Sequence, residues 1–190
     1  LMSRTLLAGR LEQLEDAGIV RSVPRPRGRG REYQLTAAGE ELRPLIECLG
    51  EWGQRWARAQ VGRGDLDPGL LMWDIHRRVN LEALPSERVV VRFDFLGVPA
   101  TTRCPRYWWL VLERREVDLC LKDPGFLVDI VVSADLRTLT RVWMGDVRLA
   151  ETIRAGLIRL DGPPSLVRAF PSWLTLSAFA GVERVGGAVA

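Results

Sequence analysis

The feature that most constrains this chain is a change of pattern near residue 62. Before it, two helical stretches flank one short basic reversal, whereas after it short β-rich runs are mixed with helices. In the join, residues 61–69, Gly62 and Gly64 are followed by Asp67 and Pro68, which suit an N-cap and the first position of a new helix. Because 190 residues suffice for one large or two small domains, we predict two domains, residues 1–62 and residues 63–190.

The chain begins with a predicted helix. Leu7, Leu11 and Leu14 recur at helical spacing and form one apolar stripe. Ser3 suits the N-cap of this helix, and Gly18 suits the left-handed position that follows its last turn.

A basic hairpin is predicted next. Residues 19–23 form a first strand, the prolines and glycines of residues 24–31 force a reversal, and Glu32–Leu35 form a returning strand. The net charge of +3 says little about partners, but its distribution is uneven. Residues 21–31 contain no acidic residue and carry the arginines Arg21, Arg25, Arg27, Arg29 and Arg31.

Thr36 is predicted to cap a second, long helix, which Pro44 should loosen because proline lacks an amide donor. One face of this helix is apolar and consists of Leu42, Leu45, Ile46, Leu49, Trp52 and Trp56. An apolar stripe of this length normally finds a partner, most often by two-fold pairing. We therefore expect a homodimer.

A helix, an arginine-tipped hairpin and a helix follow one another in the order found in the later half of a winged helix. In that interpretation, the first helix enters the major groove of double-stranded DNA, while the hairpin arginines contact phosphates or the minor groove. The alternative is a helix–hairpin–helix scaffold with a solvated basic loop.

The segments LLAGRLEQLEDAGIV, REYQLTAAGEEL and LGEWG resemble HxlR-type winged-helix transcriptional regulators over residues 3 to about 60. The resemblance implies a homodimer through the flanking helices, and further helices upstream of the recognition helix that this sequence does not contain. It also implies DNA contacts from a recognition helix and a wing, by Ser3, Arg4, Thr5, Arg10, Arg25, Arg27, Arg29 and Arg31.

The second segment predicts an α+β fold: an antiparallel-rich sheet covered by helices. A helix is expected from Asp67 to Val79, and a fifth strand at residues 158–160. Four strands joined by hairpin turns are predicted at residues 88–95, 107–113, 116–121 and 126–132. Further helices are predicted from Ser133 to Trp143, from Asp146, and from Pro163 through Trp173.

The sequence offers little for catalysis. Its three cysteines have no metal-binding spacing, its one histidine is His76, and phosphate-binding glycine motifs are absent. Asp118, Asp123 and Asp129 alternate with apolar residues, as solvent-facing positions should. We predict no catalytic residues, no metal, no cofactor and no membrane span, and, because a disulfide framework is lacking, a cytoplasmic protein.

Large aromatic side chains are concentrated in the second segment, more than a small core readily accommodates, which favours a cavity for an apolar molecule. Residues 116–146 and 157–174 are similar to sterol-carrier-protein-like domains, which hold lipids or other apolar ligands between a sheet and its covering helices. The match covers roughly residues 86 to 180. The residues chosen as ligand-lining candidates are Phe93, Phe95, Trp109, Phe126, Trp143, Phe170 and Trp173.

Together these features predict a DNA-binding transcriptional regulator whose second domain binds a hydrophobic small molecule and thereby changes the spacing of two winged helices in a dimer. The alternative is a carrier of lipids or hydrophobic metabolites whose N-terminal segment serves only for dimerisation. A third possibility is an enzyme acting on a hydrophobic substrate.

Overall fold

The structure, a computed structural model, describes residues 3–25, 30–57, 66–97 and 105–183. They form two compact units, residues 3–57 and residues 66–183. No helix within the described ranges is long and apolar enough to cross a membrane. Among the candidate residues, Arg27 and Arg29 lie outside the described residues, and Arg4 is described only by its backbone.

The N-terminal unit consists of a helix, a hairpin and two shorter helices. The Ser3 hydroxyl accepts a hydrogen bond from the Leu6 amide at 3.2 Å, which confirms the predicted N-cap. Gly18 has a φ of +70°, also as expected. The elements are α1 (Arg4–Asp16), β1 (Val20–Pro24), β2 (Arg31–Leu35), α2 (Ala37–Glu41), α3 (Arg43–Trp52) and a π-helical turn (Gly53–Ala57).

The prediction of one long helix after Thr36 is wrong. Leu42 ends α2 and begins α3, and Pro44 lies in the first turn of α3. Proline has no amide hydrogen to donate to the preceding turn, so it is accommodated at the start of a helix and not inside one.

Thr36 and Gly39 join the hairpin to α2. The Thr36 hydroxyl accepts a hydrogen bond from the Gly39 amide at 3.1 Å and donates one to the Gly18 carbonyl at 2.6 Å. A side chain at Gly39 would overlap the carbonyl oxygen of Ile19. The threonine is therefore needed as a helix cap, and the glycine three residues later is needed because the backbone of Ile19 passes close to it.

The C-terminal unit is an α+β domain, which confirms the predicted fold class. Its five-stranded sheet has the order β5-β4-β3-β6-β7, and only the central pair β3–β6 is parallel among the described strands. The elements are α4 (Pro68–Arg77), a 3-10 turn (Leu81–Ala83), β3 (Val89–Leu96), β4 (Tyr107–Glu113), β5 (Glu116–Cys120), β6 (Ile130–Asp135), α5 (Leu136–Trp143), α6 (Leu149–Arg154), β7 (Ile158–Asp161) and α7 (Pro164–Trp173).

The predicted hairpin between the third and fourth strands of this sheet is wrong. The strand expected at residues 126–132 is β6, which pairs in parallel with β3 and not with β5. Asp129 attaches the chain to β3, because its carboxylate accepts a hydrogen bond from the Val90 amide at 2.8 Å and its own amide donates to the Val90 carbonyl at 2.9 Å.

Two predicted helix starts are also wrong. Ser133 lies within β6, and the next helix begins after Asp135, whose carboxylate accepts a hydrogen bond from the Thr138 amide at 3.0 Å. The helix expected at Asp146 begins after Arg148. By contrast, Asp67 caps α4 as predicted, accepting from the Gly69 amide at 2.7 Å.

The core of the C-terminal unit lies on one face of the sheet. Val91 is opposite Leu110, and Phe93 is opposite Trp108, so these side chains share a face. Helices α4, α5 and α7 supply Met72, Val142, Trp173 and other buried side chains to the same cluster.

Candidate functional site

The first candidate surface is the N-terminal half of α1. Ser3, Thr5 and Arg10 are exposed there, and the Arg10 guanidinium donates a hydrogen bond to the Gln13 side chain at 3.0 Å. An open depression of about 490 Å³ lies on this side of the helix, and all three residues line it, together with Leu6, Gly9 and Gln13. The structure thus places these three predicted DNA contacts around the same open depression.

The hairpin supplies the second group of predicted contacts. Arg25 is exposed at the end of β1. Arg31 begins β2 and donates hydrogen bonds to Ser22, one to its hydroxyl and one to its carbonyl oxygen at 2.7 Å. A guanidinium has five N–H groups, so Arg31 retains donors for a phosphate while its position is held across the hairpin.

One further exposed arginine of this hairpin was not among the predicted contacts. Arg21 is exposed on β1 opposite Gln34, and its guanidinium donates to the Gln34 side chain at 3.3 Å. The signal for it was present in the sequence, since Arg21 begins the stretch without acidic residues.

Most acidic residues of this unit lie outside the start of α1 and the hairpin. Glu12, Glu15 and Asp16 lie in the second half of α1, and the helices α2 and α3 carry Glu40, Glu41, Glu47 and Glu51. Glu32 is the acidic residue of the hairpin itself, against five arginines in residues 21–31, so the hairpin is predominantly basic and favours the approach of an anionic polymer.

The apolar face of the second predicted helix is exposed. Between 37% and 65% of the surface of each member is accessible, and the members are Leu42, Leu45, Ile46, Leu49, Trp52 and Trp56. We call these six residues the α3 stripe. Leu7 and Leu14 of α1 are exposed as well.

Five of the seven ligand-lining candidates lie in the core of the C-terminal unit. Phe93 of β3 contacts Phe170 of α7, with ring centroids 6.4 Å apart, and Phe170 contacts Trp173 edge to face at 5.8 Å. Phe95 and Trp143 belong to the same buried cluster. Trp143 also has a polar partner, because its indole N–H donates to the Asp74 carboxylate at 2.7 Å.

The other two candidates lie apart from this cluster. Trp109 is opposite Arg92 and therefore faces away from Phe93. Phe126 is 43% exposed and stacks with Arg88, whose guanidinium carbon is 4.2 Å from the ring centroid. Trp108 takes the position beside Phe93 instead, and only the register with β3 shows this, because apolar residues occupy both faces of β4.

The titratable groups of the C-terminal unit whose pKa values are shifted have structural partners. The hydrogen bond from Arg92 to Asp94, at 2.7 Å, raises the pKa of Arg92 above its ordinary value. Burial, followed by the charge of Asp118, raises the pKa of the Cys120 thiol, so this thiol is not an activated nucleophile. Within the described ranges, no group of three or more potential ligands is placed to hold a metal ion.

The comparison with known families found a match in the N-terminal part of the chain. A family model described as HxlR-like helix-turn-helix matches residues 1–61, which confirms the predicted resemblance for this segment. A search of curated protein sequences found no match.

Solved structures are similar to a little over half of the chain. A stereoselective inverting sec-alkylsulfatase from Pseudomonas sp. is 17% identical with a TM-score of 0.45, and the match covers 58% of this chain but 16% of the sulfatase. Palmitated SCP2L2 from Aedes aegypti is 15% identical with a TM-score of 0.43, covering 55% of this chain and 91% of that one.

The ubiquinone synthesis protein UbiJ-SCP2 is 22% identical with a TM-score of 0.39, covering 55% of this chain and 82% of that protein. The predicted resemblance to sterol-carrier-protein-like domains thus recurs among solved structures. The α+β assignment itself rests on the observed sheet and helices.

Proposed function

We propose that this protein is a cytoplasmic, DNA-binding transcriptional regulator, with residues 1–62 as the DNA-binding domain and residues 63–190 as a domain that binds an apolar small molecule without converting it. The observation that carries the proposal is the HxlR-like helix-turn-helix match over residues 1–61, together with the exposed polar face of α1 and the basic hairpin beside it. In this proposal α1 reads base edges and the hairpin contacts phosphates.

The charge distribution supports this orientation on DNA. The hairpin is rich in arginines, and the carboxylates of Glu40, Glu41, Glu47 and Glu51 lie on other elements, α2 and α3. Phosphate contacts supply most of the sequence-independent affinity, and side chains at the start of a recognition helix supply specificity. Ser3, Thr5 and Arg10 are the described candidates for that second role.

We also propose that the α3 stripe pairs with the same stripe of a second copy. Six large apolar side chains on one surface are costly to leave in water. Two-fold pairing is the commonest closed arrangement of identical chains, and it would place two α1 helices on one DNA duplex. A ligand bound in the second domain would act by preferring one spacing of these helices.

Selection of DNA fragments by the full-length protein tests the proposed function. A dimeric reader should enrich two-fold symmetric sites whose half-sites are centred about 10 base pairs apart, or a multiple of that. Arg10→Ala should reduce the enrichment, while Arg137→Ala, an exposed arginine of the C-terminal unit, should preserve it. Fragments recovered without any shared sequence would overturn the proposal of a sequence-specific regulator.

A further inference from the structure

The tryptophans of the C-terminal unit differ in what their indole N–H groups bind. The Trp108 indole donates to the Pro105 carbonyl at 2.9 Å, and the Trp143 indole donates to Asp74 at 2.7 Å. The indole N–H of Trp173 is buried and has no acceptor among the described residues. That of Trp109 is also unpaired within the described part of the chain but lies on the opposite face of the sheet.

Trp173 lies at the end of α7, inside the aromatic core. Its side chain is 1% exposed and contacts the ring of Phe170, which in turn contacts Phe93. The main chain of Trp173 is held independently of the indole, since its carbonyl accepts a hydrogen bond from the Asn80 amide at 2.8 Å. The fold therefore positions the indole without using its one polar atom.

A buried donor without a partner is uncommon in folded proteins, because burial removes the hydrogen bonds that water would make. Indole has a donor and no acceptor, so the missing partner must be an oxygen or another acceptor atom. The same part of the core contains three of the candidate ligand-lining residues, Phe93, Phe170 and Trp173. A bound molecule is thus a natural source of the acceptor.

The surroundings restrict the charge of that acceptor. The buried cluster around Trp173 consists of apolar side chains, and Thr152 and Ser177 are the buried polar residues of the described part of this unit. A carboxylate entering this core would lose its hydration without gaining a positive partner, which is unfavourable. A neutral carbonyl, ester or hydroxyl oxygen loses much less and gains one hydrogen bond.

We propose that the Trp173 indole N–H donates a hydrogen bond to a neutral oxygen of the apolar ligand, so that this unit selects an uncharged ester, ketone or alcohol over the corresponding acid. The inference rests on the proposed function, because it presupposes that the C-terminal unit binds an apolar molecule. It adds the chemical class of the ligand and the residue that distinguishes this class.

Three probes of similar shape test the inference on the full chain: methyl 2-naphthoate, 2-naphthoate and 2-ethylnaphthalene. Indole N–H signals are followed by NMR in protein labelled with nitrogen-15, and the Trp173 signal is identified by its loss in Trp173→Phe. The ester should move the Trp173 proton downfield, as a new hydrogen bond does, whereas the hydrocarbon should not. The signal of Trp73, an exposed tryptophan of α4, serves as the internal control.

Affinities give a second readout. Trp173→Phe should weaken binding of the ester about tenfold, the usual worth of one hydrogen bond, and leave binding of the hydrocarbon unchanged. Trp73→Phe, at an exposed tryptophan of α4, should change neither affinity. If Trp173→Phe fails to fold, the Trp173 signal is assigned in the wild type through its contact with the Phe170 ring, and the wild-type spectra with ester and hydrocarbon decide the question.

The possible failures are distinguishable. Equal affinities for ester and hydrocarbon with no movement of the Trp173 signal would overturn the inference and leave apolar binding intact. Tighter binding of the acid at pH 7 would overturn the requirement for a neutral oxygen. Failure of all three probes to bind would count against the ligand-binding role of this unit as well as against the inference.

Discussion

The two units of this protein handle apolar side chains in opposite ways. In residues 66–183 large apolar residues form one buried cluster between the sheet and its helices. In the described residues 3–57 no large apolar side chain is buried, and every member of the α3 stripe is exposed. The C-terminal unit is therefore stabilised by its own core, whereas the N-terminal unit depends on caps, the hairpin and, in our proposal, a second copy.

The largest effect should come from the core of the C-terminal unit. Phe93→Ala should lower the free energy of unfolding by about 3–5 kcal/mol, because it removes a fully buried ring at the centre of the sheet. Phe126→Ala, at an exposed ring, should cost about 1 kcal/mol or less. Hydrogen exchange of the β3 amides measures the free energy of unfolding of both variants. Similar decreases in the two variants would contradict the assignment of the core.

In the N-terminal unit the largest effect should come from a backbone contact. Gly39→Ala should destabilise this unit by about 1–3 kcal/mol, since the added methyl group overlaps the Ile19 carbonyl oxygen. Gly9→Ala is the matched control within α1: nothing lies near the added methyl group, so it should stabilise by about 0.5–1 kcal/mol. Hydrogen-exchange rates of the β1 and β2 amides report on both variants. If both substitutions changed the stability in the same direction, the close approach at Gly39 would be refuted.

The smallest of these effects concerns assembly. Ile46→Glu should weaken self-association at least tenfold, about 1.4 kcal/mol, because it puts a charge into the α3 stripe. Leu127→Glu, at an exposed leucine of the C-terminal unit, should leave the association unchanged. Sedimentation of the two variants and the wild type gives the comparison, and a monomeric wild type at tens of micromolar would rule out pairing through this stripe.

Three helix caps and the hairpin pairing of β4 with β5 could be predicted from the sequence, whereas the helix starts placed at Ser133 and Asp146 and the pairing of β6 could not. Ser3, Thr36 and Asp67 are helix caps whose side chains accept hydrogen bonds from amides two or three residues later. Because the interaction is local, the sequence alone located these caps correctly. The partner of β6 depends on the contact between Asp129 and Val90, far apart in sequence, and no local pattern indicates it.

The same distinction explains the candidate sites. The arginines of the basic hairpin lie in one continuous stretch of sequence, together with the prolines and glycines that predict its turn, so the sequence alone indicated it. Trp109 was assigned to the core side, but Trp108 and Trp109 are adjacent and occupy opposite faces of β4. Which of the two faces the core is known only once the register with β3 is known.

The most direct test of the DNA-binding proposal is a salt titration of duplex binding by the full-length protein. Replacing the four hairpin arginines Arg25, Arg27, Arg29 and Arg31 by alanine should flatten the plot of log affinity against log salt by about 0.9 for each phosphate that an arginine no longer neutralises. The matched control replaces four exposed arginines of the C-terminal unit, Arg115, Arg137, Arg141 and Arg168, and should keep the wild-type slope. An unchanged slope in the hairpin variant, or equal flattening in both, would contradict the account.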